Sequence, residues 1–130
     1  MVVPKELKYS KTHEWVRVEG ELAYVGISDY AQESLGDIVY VEPPEEGQEV
    51  KQGEEVATIE SVKAASPIYA PVSGRIERLN PLLEKTPELI NQKPYEAFLF
   101  AVRLSAPAEL TGLLEAQAYE AHVEQEKAAH

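Results

Sequence analysis

The chain has 130 residues, enough for one domain with a radius of gyration of roughly 14 Å and too few for a second substantial core. Its composition, 44% hydrophobic and 27% charged, is that of a globular protein, and 23 acidic against 12 basic residues give a net charge of −11, which disfavours nucleic acid and anionic membrane as partners. With no cysteine and three histidines, the chain itself supplies no disulfide, no thiolate nucleophile and no cysteine-bound zinc.

The first ten residues, MVVPKELKYS, lack both the apolar core of a signal peptide and an Arg-rich amphipathic pattern. A cytoplasmic location is the expectation, or the mitochondrial matrix for a trimmed mature form. Residues 14–19 (EWVRVE) and 22–27 (LAYVGI) read as two strands joined across Glu19-Gly20-Glu21. Residues 28–35 form a short helix, capped by Ser28 or Asp29 and stopped by Gly36 in the left-handed position. A strand resumes over 38–41 and ends at Pro43-Pro44.

Strands over 56–61 and 65–70 flank Val62-Lys63. Pro67 and Pro71 share parity, so the edge they face is unpaired or the strand stops near Pro71. Another strand covers 75–79. Thr86 followed by Pro87 predicts a capped helical turn through Ile90. Residues 97–104 (AFLFAVRL) hold the longest apolar run and predict a central strand far too short to span a membrane. Over 108–129, Leu110, Leu113 and Leu114 have the spacing of one helical face, and so do Ala116, Tyr119 and Val123, which predicts one or two amphipathic helices. The fold class expected is mainly β, a flattened barrel or sandwich, with a short helix near 28–35 and C-terminal helices. It is one unit over 1–130, with a β body at about 7–104 and a helical segment at about 106–129.

The chemistry concentrates around Lys63. Gly47, Val50 and Gly53 spell G-x-x-V-x-x-G; Gly53 precedes Lys63 by ten residues and Gly74 follows it by eleven. Glycines near both bases and a lysine near the midpoint describe a long hairpin whose tip stands roughly 20 to 30 Å from its bases. The flanking Ser61, Val62, Ala64 and Ala65 are small or apolar, and no carboxylate lies nearer in sequence than Glu60. The amine is accessible to a modifying enzyme.

G-x-x-V-x-x-G, then E-S-V-K-A and a distal S-G, resembles the lipoyl-attachment domain, in which the tip lysine carries lipoate in amide linkage. Biotin carriers share the architecture but usually place Met on both sides of the lysine, where this chain has Val62 and Ala64. Lys11 to Val16 (KTHEWV), Val25 to Gln32 (VGISDYAQ), Leu35 to Val39 (LGDIV), Ala70 to Gly74 (APVSG), and Pro87 to Asn91 (PELIN) with Pro94-Tyr95 are similar to the H-proteins of the glycine cleavage system. The likeness runs from about Leu7 to the C-terminal helices. Two departures stand out. Glu96-Ala97-Phe98 replaces a Gly-containing stretch of that family, and Pro67 stands where an acidic residue is common.

The resemblance implies a carrier rather than an enzyme. Lys63 would bear lipoate, with Glu60, Ser61, Val62 and Ala64 read by the lipoate-attaching enzymes. The arm would take an aminomethyl group from a pyridoxal-phosphate glycine decarboxylase to a tetrahydrofolate-dependent aminomethyltransferase, and a dihydrolipoyl dehydrogenase would reoxidise it. Thr12 and Glu14 are the candidate contacts of the loaded arm, Glu14 as counter-charge or else as an exposed strand-end carboxylate. The chain is expected to be a monomer without a metal. Between Glu42 and Glu60 stand seven Glu and one Lys, either a solubilising face or one that steers docking to basic partners. Three rival functions are a lipoyl relay to other lipoate-dependent complexes, a biotin carrier, and a hydrolase using His13 and Glu14 as a base pair. His13 is a solvated strand-start residue or a docking contact, while His122 and His130, in a frayable tail, are expected to be inert.

Overall fold

The computed structural model describes residues 1–129; His130 lies outside them. Ten strands form two antiparallel sheets: β1 (Lys8–Tyr9), β2 (Glu14–Glu19), β3 (Leu22–Ile27), β4 (Ile38–Glu42), β5 (Glu49–Val50), β6 (Glu55–Ser61), β7 (Ala65–Tyr69), β8 (Gly74–Leu79), β9 (Phe100–Leu104) and β10 (Leu114–Glu115). The larger sheet runs β10-β1-β2-β3-β9-β8-β5 and the smaller β4-β6-β7. The described residues also form helices α1 (Asp29–Leu35), α2 (Leu89–Gln92) and α3 (Ala116–Ala128), with 3-10 turns at Pro81–Glu84 and Pro107–Gly112.

Period-two alternation divides the apolar residues of the larger sheet between two cores. Val16, Val25, Phe100 and Val102 face the smaller sheet and pack with Ile38, Val41, Ile59 and Ile68. Trp15, Tyr24 and Ala101 point the other way and meet Ala116, Tyr119 and Val123 of α3. Tyr9 stacks on Tyr119 with ring centroids 4.5 Å apart and planes within 10°. Trp15 anchors the start of β2 by donating from Nε1 to the Pro94 carbonyl at 2.9 Å, a contact that gives the Pro94-Tyr95 motif its structural work.

Strands β2 and β3 have the bounds read from the sequence, and Glu19 pairs with Leu22 across a two-residue turn in which Gly20 takes φ +63°, as a tight hairpin requires. Helix α1 has the expected cap: Ser28 Oγ accepts from Ala31 N at 3.2 Å, and the Gly36 N–H returns to the Gln32 carbonyl. The 97–104 segment is central, between β3 and β8, although pairing as a strand begins only at Phe100.

Three expectations need correction. Thr86 does not cap through its side chain; its carbonyl accepts from Leu89 N at 3.1 Å, and the helix proper is Leu89–Gln92 with no side-chain cap. Leu110, Leu113 and Leu114 do not share a helical face. After the turn at Pro107–Gly112 the chain extends into β10, paired with β1, which sends Leu113 to the main core and Leu114 to the core under α3. The α3 segment does not fray through His122, because Tyr119 and Val123 beside it are fully buried.

Candidate functional site: a braced lysine hairpin and the loop beside it

Strands β6 and β7 make the hairpin that the sequence describes, paired from Glu55↔Tyr69 to Glu60↔Ala65, and Lys63 lies in its turn. At about 3.3 Å per residue, the seven residues of β6 carry the tip roughly 20 Å from the base. Ser61 organises the turn. Its N–H donates to the Ala64 carbonyl at 2.7 Å, and its hydroxyl accepts from the Lys63 and Ala64 N–H groups at 3.3 and 3.1 Å. A side chain that caps its own turn fixes the backbone on either side of Lys63.

The tip is also held from outside. Val62 N donates to the Asp37 carbonyl at 3.0 Å, which ties the turn to the α1–β4 link. Asn91 in α2 holds that link: its Nδ2 donates to the Gly36 carbonyl at 2.8 Å and to Gln32 Oε1 at 3.0 Å, and its Oδ1 accepts from Ile38 N at 2.9 Å. Nothing local in the sequence marks Asn91 for this task beyond its place at the end of the P-E-L-I-N motif. Asn91→Ala is expected to lower stability by about 2 kcal/mol, measured by denaturant unfolding, and to speed hydrogen exchange at the Val62 amide while the distant β2–β3 hairpin stays protected.

Lys63 and Val62 are exposed, Val62 at 69%. Among the described residues Lys63 enters no ion pair within 4.0 Å. Its stem lies back over Gly36: a Cβ added there would meet Lys63 Cε at 3.5 Å. Gly36 ends α1, whose Ala31 and Leu35 wall a small cleft of about 170 Å³ that Thr12, His13, Ile27, Pro67 and Ile68 also line. Pro67 occupies the unpaired edge of β7, as its parity requires, and the strand stops at Tyr69 before Pro71. A second cleft of about 360 Å³ lies on the other side of Thr12, toward Tyr69 and Leu113.

Glu14 is not an exposed strand-end carboxylate but is 1% exposed. Its Oε1 accepts from Ser10 Oγ and Thr12 Oγ1, both at 2.5 Å, and its Oε2 from Tyr69 N on the free edge of β7 at 3.3 Å. Burial pushes its pKa up, against the pull of the Ser10 and Thr12 hydroxyls and the Tyr69 amide. Ser10 was missed from the sequence, where hydroxyls at 10 and 12 and a carboxylate at 14 share parity. Thr12 is exposed and lines both clefts, so it is the outward end of this network.

His13 and Glu14 do not face each other as a base pair. His13 Nε2 lies 2.6 Å from Glu126 Oε2 and its Nδ1 lies 2.8 Å from the Tyr119 hydroxyl, while Glu14 spends its oxygens elsewhere. The hydrolase arrangement is absent.

Sequence comparison decides the family: the glycine cleavage H-protein model matches residues 7–126. The chain belongs to the glycine cleavage H-protein family. A glycine cleavage system H protein of Symbiobacterium thermophilum is 54% identical over 120 residues, covering 92% of this chain and 94% of the relative. One from Thermus thermophilus is 53% identical over 127 residues, covering 97% and 99%. The crystal structure of a glycine cleavage system H protein from Mycobacterium marinum superposes with a TM-score of 0.86 at 33% identity, covering 94% of this chain and 99% of that one. H-proteins are carriers, not enzymes, and the family's lipoyl-domain sandwich is the fold seen here.

Proposed function

We propose that this chain is the lipoyl carrier of the glycine cleavage system, loaded in amide linkage on Lys63. The observation that carries the reading is the exposed, unpaired Lys63 at a braced hairpin tip, in a chain of H-protein sequence. The residues fit the group: Val62 and Ala64 leave the amine unobstructed, Glu60 and Ser61 fix the strand that presents it, and acylation removes a charge that no ion pair among the described residues holds. Val62 and Ala64 also favour lipoate over biotin. When bound, the lipoyl group supplies the redox-active sulfurs that this cysteine-free chain lacks.

The chain's own residues present and shelter. Ser61, Asp37 and Asn91 hold the tip, so motion is confined to the arm beyond Lys63, and a short tether gives high effective concentration at whichever partner is docked. The Lys63 stem passes Gly36 at the end of α1, and the smaller cleft beside that helix offers the apolar wall of Ile27, Leu35 and Ile68 to an aliphatic arm. Thr12 offers the hydroxyl at its rim, with the buried Glu14 charge behind it to favour a cationic cargo. Pro67 adds no carboxylate, so Glu14 is the anionic group placed for that task.

The partners this reading requires are a pyridoxal-phosphate glycine decarboxylase, a tetrahydrofolate-dependent aminomethyltransferase, a dihydrolipoyl dehydrogenase and the lipoate-attaching enzymes. All seven Glu between 42 and 60 are exposed, which suits docking to basic rims and predicts coupling that weakens with salt. The test is glycine–bicarbonate exchange with a purified decarboxylase. The lipoylated chain is expected to support exchange and the unmodified chain to fail. A lipoylated chain that supports none would point to the lipoyl relay instead.

A further inference from the structure

Three groups that the carrier reading leaves unused meet where α3 crosses the loop before β2. One ligand atom each from His13, His122 and Glu126 lie within 4.8 Å of one another, all three residues half-buried. The two imidazole rings are 5.6 Å apart, centroid to centroid. His122 and Glu126 are one helical turn apart, so α3 sets both on one face. His13 reaches them from a loop backbone with φ +76°, an uncommon conformation for a residue with a Cβ.

Both rings are steadied from behind. His122 Nε2 lies 2.9 Å from the Lys11 carbonyl. A carbonyl only accepts, so the neutral ring keeps its proton on Nε2 and its lone pair on Nδ1. The Tyr119 hydroxyl beside His13 Nδ1 is itself 2.6 Å from Ser28 Oγ. Outer hydrogen bonds of this kind are what orient metal-binding imidazoles.

We propose that His13, His122 and Glu126 form a binding site for a divalent d-block cation of the zinc type. Two imidazole nitrogens and one carboxylate oxygen suit such a cation, whereas calcium and magnesium call for an oxygen shell. A fourth position remains for water. Tetrahedral bonds of about 2.0–2.2 Å place ligand atoms roughly 3.4 Å apart, and side-chain rotation at these half-buried positions closes the site. The protons balance without loss. In the metal-free form His13 Nε2–H donates to Glu126; with the cation on Nε2 the proton sits on Nδ1 and donates to Tyr119, which donates to Ser28 Oγ. The cation ties α3 to the loop that carries Thr12 and leads into Glu14 at the start of β2, so its occupancy sets how firmly the Thr12 wall of the clefts is held. None of this depends on the role of Lys63.

The experiment uses the untagged full-length chain, stripped with chelator and titrated with zinc chloride in a calorimeter. One equivalent is expected to bind, raising Tm by roughly 5–10 °C at a hundred times Kd. His122→Ala and Glu126→Gln are each expected to weaken binding at least tenfold, and His130→Ala to leave it unchanged. Loading with cobalt reads the site without substitution: tetrahedral d–d absorption and paramagnetic shifts at the His13 and His122 ring protons are expected. Absence of saturable zinc binding, binding indifferent to the His122 and Glu126 substitutions, binding that follows His130, or cobalt that leaves both rings unshifted would each overturn the site.

Discussion

Lys63→Arg, produced in a host that attaches lipoate, is expected to show no lipoyl mass increase and no glycine–bicarbonate exchange, while wild-type protein from the same host shows both. The chemistry is one-sided. Amide formation needs a nucleophilic amine, and a guanidinium that stays protonated above pH 12 does not provide one. The fold should not respond: Lys63 is exposed, it enters no ion pair among the described residues, and its stem rests on Gly36 alone among the glycines. A stability change within about 0.5 kcal/mol follows. Thermal melting of the two unmodified proteins therefore checks that the loss is chemical and not structural. A mass increase that survives the substitution places the modification elsewhere.

Gly74→Ala should act in the opposite way, through the fold. Gly74 begins β8 opposite Leu104 of β9, at the foot of the chain leaving the hairpin. A Cβ there would stand 2.0 Å from the Arg103 carbonyl oxygen, 2.7 Å from Val102 Cγ1 and 2.9 Å from the Arg103 carbonyl carbon. Two of those three are backbone atoms of a central strand, which cannot rotate aside as a surface side chain would. Relief requires β8 to part from β9, and β9 is bonded to β3 on its other side. The cost is roughly 3 kcal/mol or more, or a fall of about 10 °C in Tm for a domain of this size. Gly53→Ala gives the contrast, since nothing stands within 4 Å of its Cβ position and the penalty comes from φ +88° alone, about 1–2 kcal/mol. Equal losses at the two sites would contradict the packing argument.

The parts of this fold that were legible in the sequence are those written in local chemistry. Strands β2 and β3 follow from alternation and a Gly turn, and α1 from a Ser cap and a Gly stop. The Lys63 hairpin follows from glycines at its bases and small residues at its tip. The two-residue strands β1, β5 and β10 were not legible, because each exists only through a partner distant in sequence: β10 pairs with a strand 107 residues away at Lys8↔Glu115. For the same reason Leu113 and Leu114, whose spacing suits a helix, belong to an extended segment with opposite faces buried in different cores.

The site divides along the same line. Lys63 and its neighbours were readable because the attachment signal is contiguous. The supports were not, since Asn91 and Asp37 act on the tip by hydrogen bonds across 53 residues and through a backbone carbonyl that has no sequence signature. Glu14 was recognised as a candidate, but its burial was not foreseen. The three donors that make burial tolerable include a backbone amide 55 positions away, and an ionised carboxylate so placed is costly without them. A place near the chain end makes His122 look inert in the sequence, yet it faces His13, 109 residues earlier, once α3 docks through Tyr119 and Val123.

The most direct measurement is peptide mapping by mass spectrometry of protein purified from its native cells under conditions that preserve lipoyl amides. One lipoyl group is expected, on the peptide that contains Lys63, with every other lysine bare. Lipoyl on a different lysine, or an unmodified Lys63 in cells whose other lipoyl proteins are fully loaded, would contradict it.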